Sequence, residues 1–391
     1  MDEAAADAAL DAKDVAAVLV IPVGFSSDGK DQTLELRAAA NEINGLAIEQ
    51  AINAAALRAG QSIEAATVIT ARAETLRAFV DAADNAVGVI GTGSREIVLL
   101  GHIDTVAGYI PVTLGDGKLY GRGTVDAKGP LATFACAAAL VGAREGWRIV
   151  VIGATEEEAI TSKGAHHALS VYTPEYVVIG EPSRWDRITL GYKGRLLVDY
   201  CCMRPVVHTA RLEPNAIEHA VRYWNAVQTA VAQINEGRDK AFDQVFASIR
   251  SIQSRSDGFH DTAEMTLGFR LPPDITPDDL FARLGDFAEL GTLTPRGGER
   301  TYRAEKNTPL TRVFNNAIRD VGGKPGYVYK TGTSDMNIVG AVWSCPIVAY
   351  GPGDSTLDHT PEEHIEIDEY LRAVNVLRRA LIELTGEAEA R

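Results

Sequence analysis

Three short apolar runs in this chain each stop at a small residue and then deliver an acid or a histidine. The run 97–100 ends at Gly101 and presents His102 and Asp104; 147–153 leads into Glu156, Glu157 and Glu158; 177–179 ends at Gly180 and presents Glu181. Runs of this length and content read as buried strands. Side chains two residues apart in an extended chain point the same way, so His102 and Asp104 leave the first strand together, as a metal ligand and its orienting partner do. In an open α/β sheet, groups beyond the carboxyl ends of neighbouring strands face one crevice. Three consecutive glutamates alone would describe a solvated face, but here an apolar strand feeds them and Gly164 follows.

Around those strands, helical stretches alternate with further short strands. Residues 130–144 read as a buried helix with Pro130 in its first turn, and 86–90 read as a strand. Near the end, 330–336 and 345–350 resume the same texture before a last helix over 368–385. This alternation predicts an α/β domain with a mixed, largely parallel sheet. Between about 192 and 304 the pattern changes: 194–203 alternate like a strand with one exposed face, 215–235 have helical period, 263–271 alternate again, and Thr276 opens a helix over 277–290. Strand, helix, strand, helix predicts a smaller α+β unit at 192–304, inserted into a larger domain made of 1–191 and 305–391. The first 85 residues say least. There, 15–23 is a short apolar segment, 24–31 is turn-like, and 34–82 is rich in Ala, Glu, Gln and Leu, which favours helix.

The 391 residues carry a formal net charge of −15, with 46% hydrophobic and 23% charged residues. Such a chain is long enough for a full enzyme core and two domains. The acidic balance argues against a nucleic-acid partner, whose binders present a basic stripe. No apolar stretch reaches the roughly 18 residues that a spanning helix needs, and the acidic start lacks the features of a secretion signal. The expectation is a cytoplasmic protein with no membrane partner. Cys136, Cys201, Cys202 and Cys345 lack C-x-x-C spacing, which suits reduced thiols.

His102, Asp126, Glu158, Glu181 and, far downstream, His359 supply imidazoles and carboxylates but no thiolate. That set fits two divalent metal ions sharing one bridging carboxylate, and suits zinc, cobalt or manganese hydrolytic centres. Two such ions polarise an amide carbonyl and lower the pKa of a shared water. A carboxylate beside them that is not itself a ligand is the natural proton shuttle, and Glu157 stands in that place.

The segments GHIDTV, GRGTVDAKGP, ATEEEAITSKGA, IGEPS, KTGTSDMN and DHTPEEH together resemble the M20 family of co-catalytic metallopeptidases and deacylases, from about residue 86 to the C-terminus. The resemblance implies that His102 and Glu181 hold one metal, Glu158 and His359 the other, with Asp126 bridging, zinc being the expected ion and cobalt the alternative. It implies that Asp104 orients His102 and that Glu157 is general base and then acid. It makes 192–304 a lid or dimerisation domain, predicts a homodimer, and matches His208 to a lid histidine that stabilises the oxyanion, often in the other subunit's site. Arg270 resembles an arginine that grips a substrate carboxylate, a task suited to paired guanidinium donors; a salt-bridged strand-end arginine is the alternative. Gly332, Thr333 and Ser334 offer hydrogen bonds to the same ligand, or form an ordinary turn.

Within the family, LGYKGR, RPVVHTA, GFRLPP and GPGDSTLDHTPEEH look most like the branch that releases lysine or ornithine from the γ-carboxyl of a terminal glutamate on an acidic amino-group carrier protein, in lysine and arginine biosynthesis. The alternatives are deacylation of a small acylated amino acid (N-acetylornithine, N-acetyl-lysine or succinyl-diaminopimelate) and, from another class, a catalytically idle metal-dependent binding protein. The idle form would lack a ligand or the base, and none is missing. From Glu181 to Arg211, six basic residues against three acids suit an acidic carrier tail, or else make an ordinary mixed surface. The first 85 residues depart from the family, whose Ile-Pro-Ser-x-Ser-Gly turn is only faintly echoed at 21–27.

Overall fold

The structure, a computed structural model, describes residues 17–20, 35–38, 76–208, 210 and 212–386. Near the start, β1 (Ala17–Val20) pairs antiparallel with β2 (Glu35–Ala38). The larger unit is built on a nine-stranded sheet. Its centre is parallel: β5 (Arg95–His102) runs between β8 (Trp147–Ala154) and β9 (Tyr176–Gly180), and β17 (Ile347–Tyr350) lies beyond β9. Antiparallel strands finish both sides. On one side are β4 (Ala86–Ile90) and β3 (Leu76–Val80); on the other is β10 (Arg187–Tyr192), which also pairs with β15 (Tyr302–Arg303) and β16 (Gly326–Lys330).

A parallel strand covered on both faces has no solvent side, so it reads as a continuous apolar run. Every residue of β5 after Arg95 is accordingly buried. The covering helices are α1 (Lys128–Val141), α2 (Lys163–Val171), α5 (Pro309–Asp320), α6 (Asp335–Gly340) and α7 (Ile367–Thr385). Helix α7 packs against both α1 and α5, and α2 packs against α6. At the strand ends side chains must be small: a methyl group on Gly180 would sit 2.9 Å from the Gly101 Cα and 3.0 Å from the Phe134 ring. That close approach seats α1 beside His102 and Glu181. A small antiparallel sheet of β6 (Thr113–Gly115), β7 (Lys118–Tyr120) and β18 (His364–Glu366) joins the segment before Asp126 to the segment after His359.

The segment between β10 and β15 forms its own sheet and its own apolar cluster. Strands β11 (Gly194–Pro205), β12 (Phe246–Ser256), β13 (His260–Leu271) and β14 (Thr292–Glu299) pair antiparallel in the order β12-β13-β11-β14. Helices α3 (Ala216–Ile234) and α4 (Pro277–Gly285) pack on it, each opened by a capping box, at Asn215 and Thr276. Tyr200 stacks on Tyr223 with ring centroids 4.4 Å apart inside this second core.

Four strands stand here where the alternation predicts two. The outer strand β12 is largely exposed and slips register between Ile249 and Ser251, which breaks any period-two pattern, and β14 contains Pro295, Gly297 and Gly298, which count against a strand. The helix expected over 277–290 stops at Gly285. Within 330–336, where the α/β texture resumes, β16 ends at Lys330 and Ser334 caps α6. The helix expected over 34–82 falls mostly outside the described residues, as do the turn at 24–31 and the faint motif at 21–27. At its ends Glu35–Ala38 and Leu76–Val80 are strands, because pairing with a neighbouring strand overrides a weak helical preference.

Adding a methyl group at Gly180 tests the close packing of α1. Gly180→Ala is expected to destabilise the fold by about 1–3 kcal/mol through overpacking, read as a lowered denaturant midpoint. An unchanged midpoint would show that the helix does not depend on that gap.

Candidate metal centre

Five chain segments, carrying His102, Asp126, Glu158, Glu181 and His359, meet at the carboxyl ends of β5, β8 and β9. His102, the last residue of β5, is 1% exposed. Its Nδ1 lies 3.0 Å from the backbone carbonyl of Asp104, which leaves Nε2 to face Asp126 Oδ1 at 3.2 Å. The other Asp126 oxygen, Oδ2, lies 3.0 Å from His359 Nε2, so one carboxylate spans two imidazoles. Glu158 Oε1 is 3.3 Å from the same His359 nitrogen. Ligand atoms of Asp126, Glu158 and His359 all lie within 4.8 Å of one another. Glu181, next after β9, is buried, and its Oε2 accepts from the Tyr192 hydroxyl at 3.4 Å. Glu156 is turned away, its Oε2 accepting from Thr161 at 2.6 Å.

A surrounding layer of hydrogen bonds holds these groups. Asp104 accepts from the backbone N–H groups of Glu157 and Glu158 at 3.3 and 3.0 Å, tying the loop after β5 to the loop after β8. Its carboxylate lies 3.6 Å from His102 Nδ1, so its backbone makes the closer contact to the ring. Glu363, fully buried, accepts from the N–H groups of Val125 and Asp126 at 2.9 and 3.1 Å and pairs with Arg122 at 2.8 Å. His359 itself has a φ of +62°, a conformation that a bulky residue adopts only where its surroundings enforce it.

The electrostatics suit cations. Burial, with Asp335, Asp126 and Glu158 adding repulsion against the pull of His102, pushes the Glu157 carboxyl up to about 8. Burial and the charges of Glu157 and Asp126 raise Glu181 far above the usual range, and burial with Asp126 raises Glu158. Burial opposes ionisation of Asp126 too, but the two imidazoles win and hold it well below the ordinary carboxylate range. The Asp126 hydrogen bond, against burial, moves His359 up to about 9. Glu158 Oε1 is buried and receives no hydrogen bond in spite of its nearness to His359. Crowded acids, shared imidazoles and an orphaned carboxylate oxygen form a donor set that divalent cations fit.

The remaining expected residues fall elsewhere. His208 is exposed, its Nδ1 accepting from the Ala210 N–H at 3.1 Å, and no bond joins it to the cluster. Arg270, on β13, donates to the Thr333 hydroxyl, which donates on to the Lys193 carbonyl at 2.9 Å. It makes no ion pair among the described residues, so the salt-bridged alternative does not hold. Ser334 caps α6, and Gly332 leads into that turn. The basic stretch 181–211 is not one free surface: Arg184 pairs with Asp354, Arg187 with Asp186 and Arg195 with Glu299, while Lys193 is buried under two carbonyls. Arg211 lies outside the described residues. Internal partners thus take up four of the six basic residues that the linear count makes prominent. All four cysteines are free thiols.

Sequence reasoning missed Glu363, Tyr192 and Asn337. Glu363 sits among three acids after His359, and only contact with the Asp126 backbone distinguishes it. Asn337 donates to the carbonyls of Tyr192, Lys193 and Arg300 at 3.2, 3.2 and 2.8 Å, stapling both chain crossings between the two units. Its place in the KTGTSDMN segment was the available signal.

The profile of Peptidase family M20/M25/M40 matches residues 98–383. The LysW-lysine hydrolase of Deinococcus radiodurans is 46% identical over 317 residues, covering 79% of this chain and 88% of that protein. The LysW-lysine/LysW-ornithine hydrolase of Saccharolobus islandicus is 30% identical over 296 residues, covering 75% and 82%. Among solved structures, an M20 family metallo-carboxypeptidase from Sulfolobus solfataricus superposes with a TM-score of 0.63 at 17% identity, covering 82% of this chain and 93% of that one. The mixed α/β fold with its central parallel strands is shared with that structure. The profile match and the two similar hydrolases place this chain in Peptidase family M20/M25/M40.

Proposed function

We propose that this chain is a two-metal amidohydrolase that releases lysine or ornithine from a carrier protein of the LysW type. The observation that carries this reading is the Asp126 carboxylate shared between His102 and His359, with Glu157 beside it. In this reading His102 and Glu181 would hold one metal, Glu158 and His359 the other, and Asp126 would be shared between them; zinc is the expected ion, with cobalt able to replace it. Two divalent cations bound there supply polarisation of the amide carbonyl and acidification of water. The names of the similar proteins from Deinococcus radiodurans and Saccharolobus islandicus support the substrate.

The chain's own residues do the rest. Asp104 fixes the backbone of Glu157 and Glu158. Glu157, in its ionised form, takes the proton of the attacking water on a carboxylate oxygen and hands it to the departing amide nitrogen; burial beside other acids makes it hold that proton more readily than an ordinary carboxylate. Arg270 and Thr333, with the turn at Gly332 and Ser334, take a carboxylate of the substrate. The larger unit, 1–191 and 305–391, carries this chemistry, and 192–304 serves as lid and dimerisation domain. His208, exposed in its own chain, reaches the partner's site of a homodimer and donates to the carbonyl oxygen as it gains charge. The outer strand β12, with Ile252 55% exposed, offers a free edge for that pairing. No helix among the described residues is long and apolar enough to cross a membrane, which suits a cytoplasmic biosynthetic enzyme of lysine and arginine metabolism.

Three measurements test the reading. Chelation should abolish hydrolysis of the carrier conjugate and zinc or cobalt should restore it. With the metal restored, kcat/KM on the conjugate should exceed that on acetyl-lysine, acetylornithine or succinyl-diaminopimelate by at least about tenfold; the opposite ranking would make it a small-molecule deacylase. Glu157→Gln should keep its metal content and lose about 10²–10⁴-fold in kcat, and full turnover in that variant would remove Glu157 from the role of base.

A further inference from the structure

Two lysines stand where the larger unit meets the insertion, and their amines are engaged to different degrees. Lys193 is buried, and its amine donates to the carbonyls of Ala241 and Gln244. Lys330, the last residue of β16, is half-buried, donates to the Ser355 hydroxyl, and makes no ion pair among the described residues. An ammonium has three donors, so one hydroxyl leaves most of its capacity unused. Burial weakens its hold on a proton, against the pull of Asp358, Glu181 and Asp354, yet none of the three is its partner. Asp354 pairs with Arg184, Glu181 takes the Tyr192 hydroxyl, and Asp358 Oδ1 is buried without a hydrogen bond. The lysine is also fixed in place. It lies opposite Tyr192 in the pairing of β10 with β16, and its carbonyl accepts from the Lys193 N–H at 3.3 Å. Ser355 belongs to a turn in which the Asp354 carboxylate accepts from the Thr356 N–H at 3.0 Å. A positioned ammonium with unused donors beside a reaction centre is a receptor for an anionic group that arrives with the substrate.

The place of Lys330 differs from that of Arg270. The Arg270 guanidinium is bonded to Thr333 and acted on by Glu157, the group that gives its proton to the departing nitrogen, so it stands nearer the leaving side of the amide. Lys330 lies three residues before Thr333 and is acted on by Asp358 and Glu181 instead, which sets it towards the acyl side. A substrate of the proposed reaction carries one carboxylate on each side of the scissile amide. One belongs to the amino acid released; the other is the α-carboxylate of the terminal glutamate, whose γ-carboxyl forms the amide. Two separate cations match two separate carboxylates. We propose that Lys330, steadied by Ser355, binds the free α-carboxylate of the carrier's terminal glutamate. This rests on the amidohydrolase reading and deepens it: the site selects a γ-linked glutamate over a plain acyl chain, because an acyl group without that carboxylate leaves the half-buried ammonium without a counter-charge.

The test compares N-acetyl-γ-glutamyl-lysine with 4-acetamidobutanoyl-lysine, which lacks only the α-carboxylate of the glutamate. In the metal-loaded wild type, kcat/KM should favour the first by about 10- to 100-fold, the range expected of a hydrogen bond to a charged group, mainly through KM. In Lys330→Met, or in Lys330→Gln should the first fail to fold, the ratio of the two kcat/KM values should fall to near one. Calorimetric titration with the acyl products alone, N-acetylglutamate and 4-acetamidobutyrate, gives a readout independent of turnover: wild type should bind N-acetylglutamate more tightly, and the variant should lose that difference. Equal loss on both amides would assign Lys330 to the charge balance of the metal centre and overturn the proposal. So would equal binding of the two products by wild type, with no variant needed. If wild type hydrolyses neither amide nor the carrier conjugate, the amidohydrolase reading fails, and the binding comparison still decides the subsite.

Discussion

The shared carboxylate of Asp126 is the interaction on which the rest of this structure depends. Each of its oxygens faces a different imidazole, one from the end of β5 and one from a loop more than two hundred residues later. For both contacts to exist, the loop before α1 must sit under the end of β5 while the chain near residue 359 folds back over it. Glu363 enforces this by binding the backbone of Val125 and Asp126 from the far segment. The small sheet of β6, β7 and β18 closes the same link through the backbone.

Placing so many ionisable groups together works against burial. Repulsion and desolvation raise Glu157, Glu158 and Glu181, while the imidazoles depress Asp126. The opposing shifts separate the acids: the two imidazoles favour the ionised form of Asp126, while burial and neighbouring acids raise the proton affinity of Glu157. The glycines at the strand ends belong to the same arrangement, since Gly101 and Gly180 let α1 approach and bring Asp126 to the crevice.

The inserted sheet is joined to this centre at two crossings, and one side chain, Asn337, binds the backbone of both. Lys193 extends the junction into the insertion: its buried amine donates to the carbonyls of Ala241 and Gln244 and lies 4.0 Å from the centre of the Phe246 ring. Arg270 is tied through Thr333 to this hydrogen-bonded junction between the two units.

The sequence by itself determined which strands are central. Strands covered on both faces must be continuously apolar, and the polar residues that follow them stand out: His102, the run from Thr155 to Glu158, and Glu181. It also carried the family, because the spaced segments around those residues are specific. Local pattern failed where no single face is buried. Strand β12 is an exposed edge with a register slip, β14 carries proline and glycine, and the short α6 is set by its cap more than by any period. Only the tertiary structure decided which charges remain free. Several charges of the stretch 181–211 are taken up by partners such as Glu299 and Asp354, whereas Arg270 and Asp335 make no ion pair among the described residues. Ion pairing and desolvation depend on distances between residues remote in sequence, and a linear reading contains no such distances.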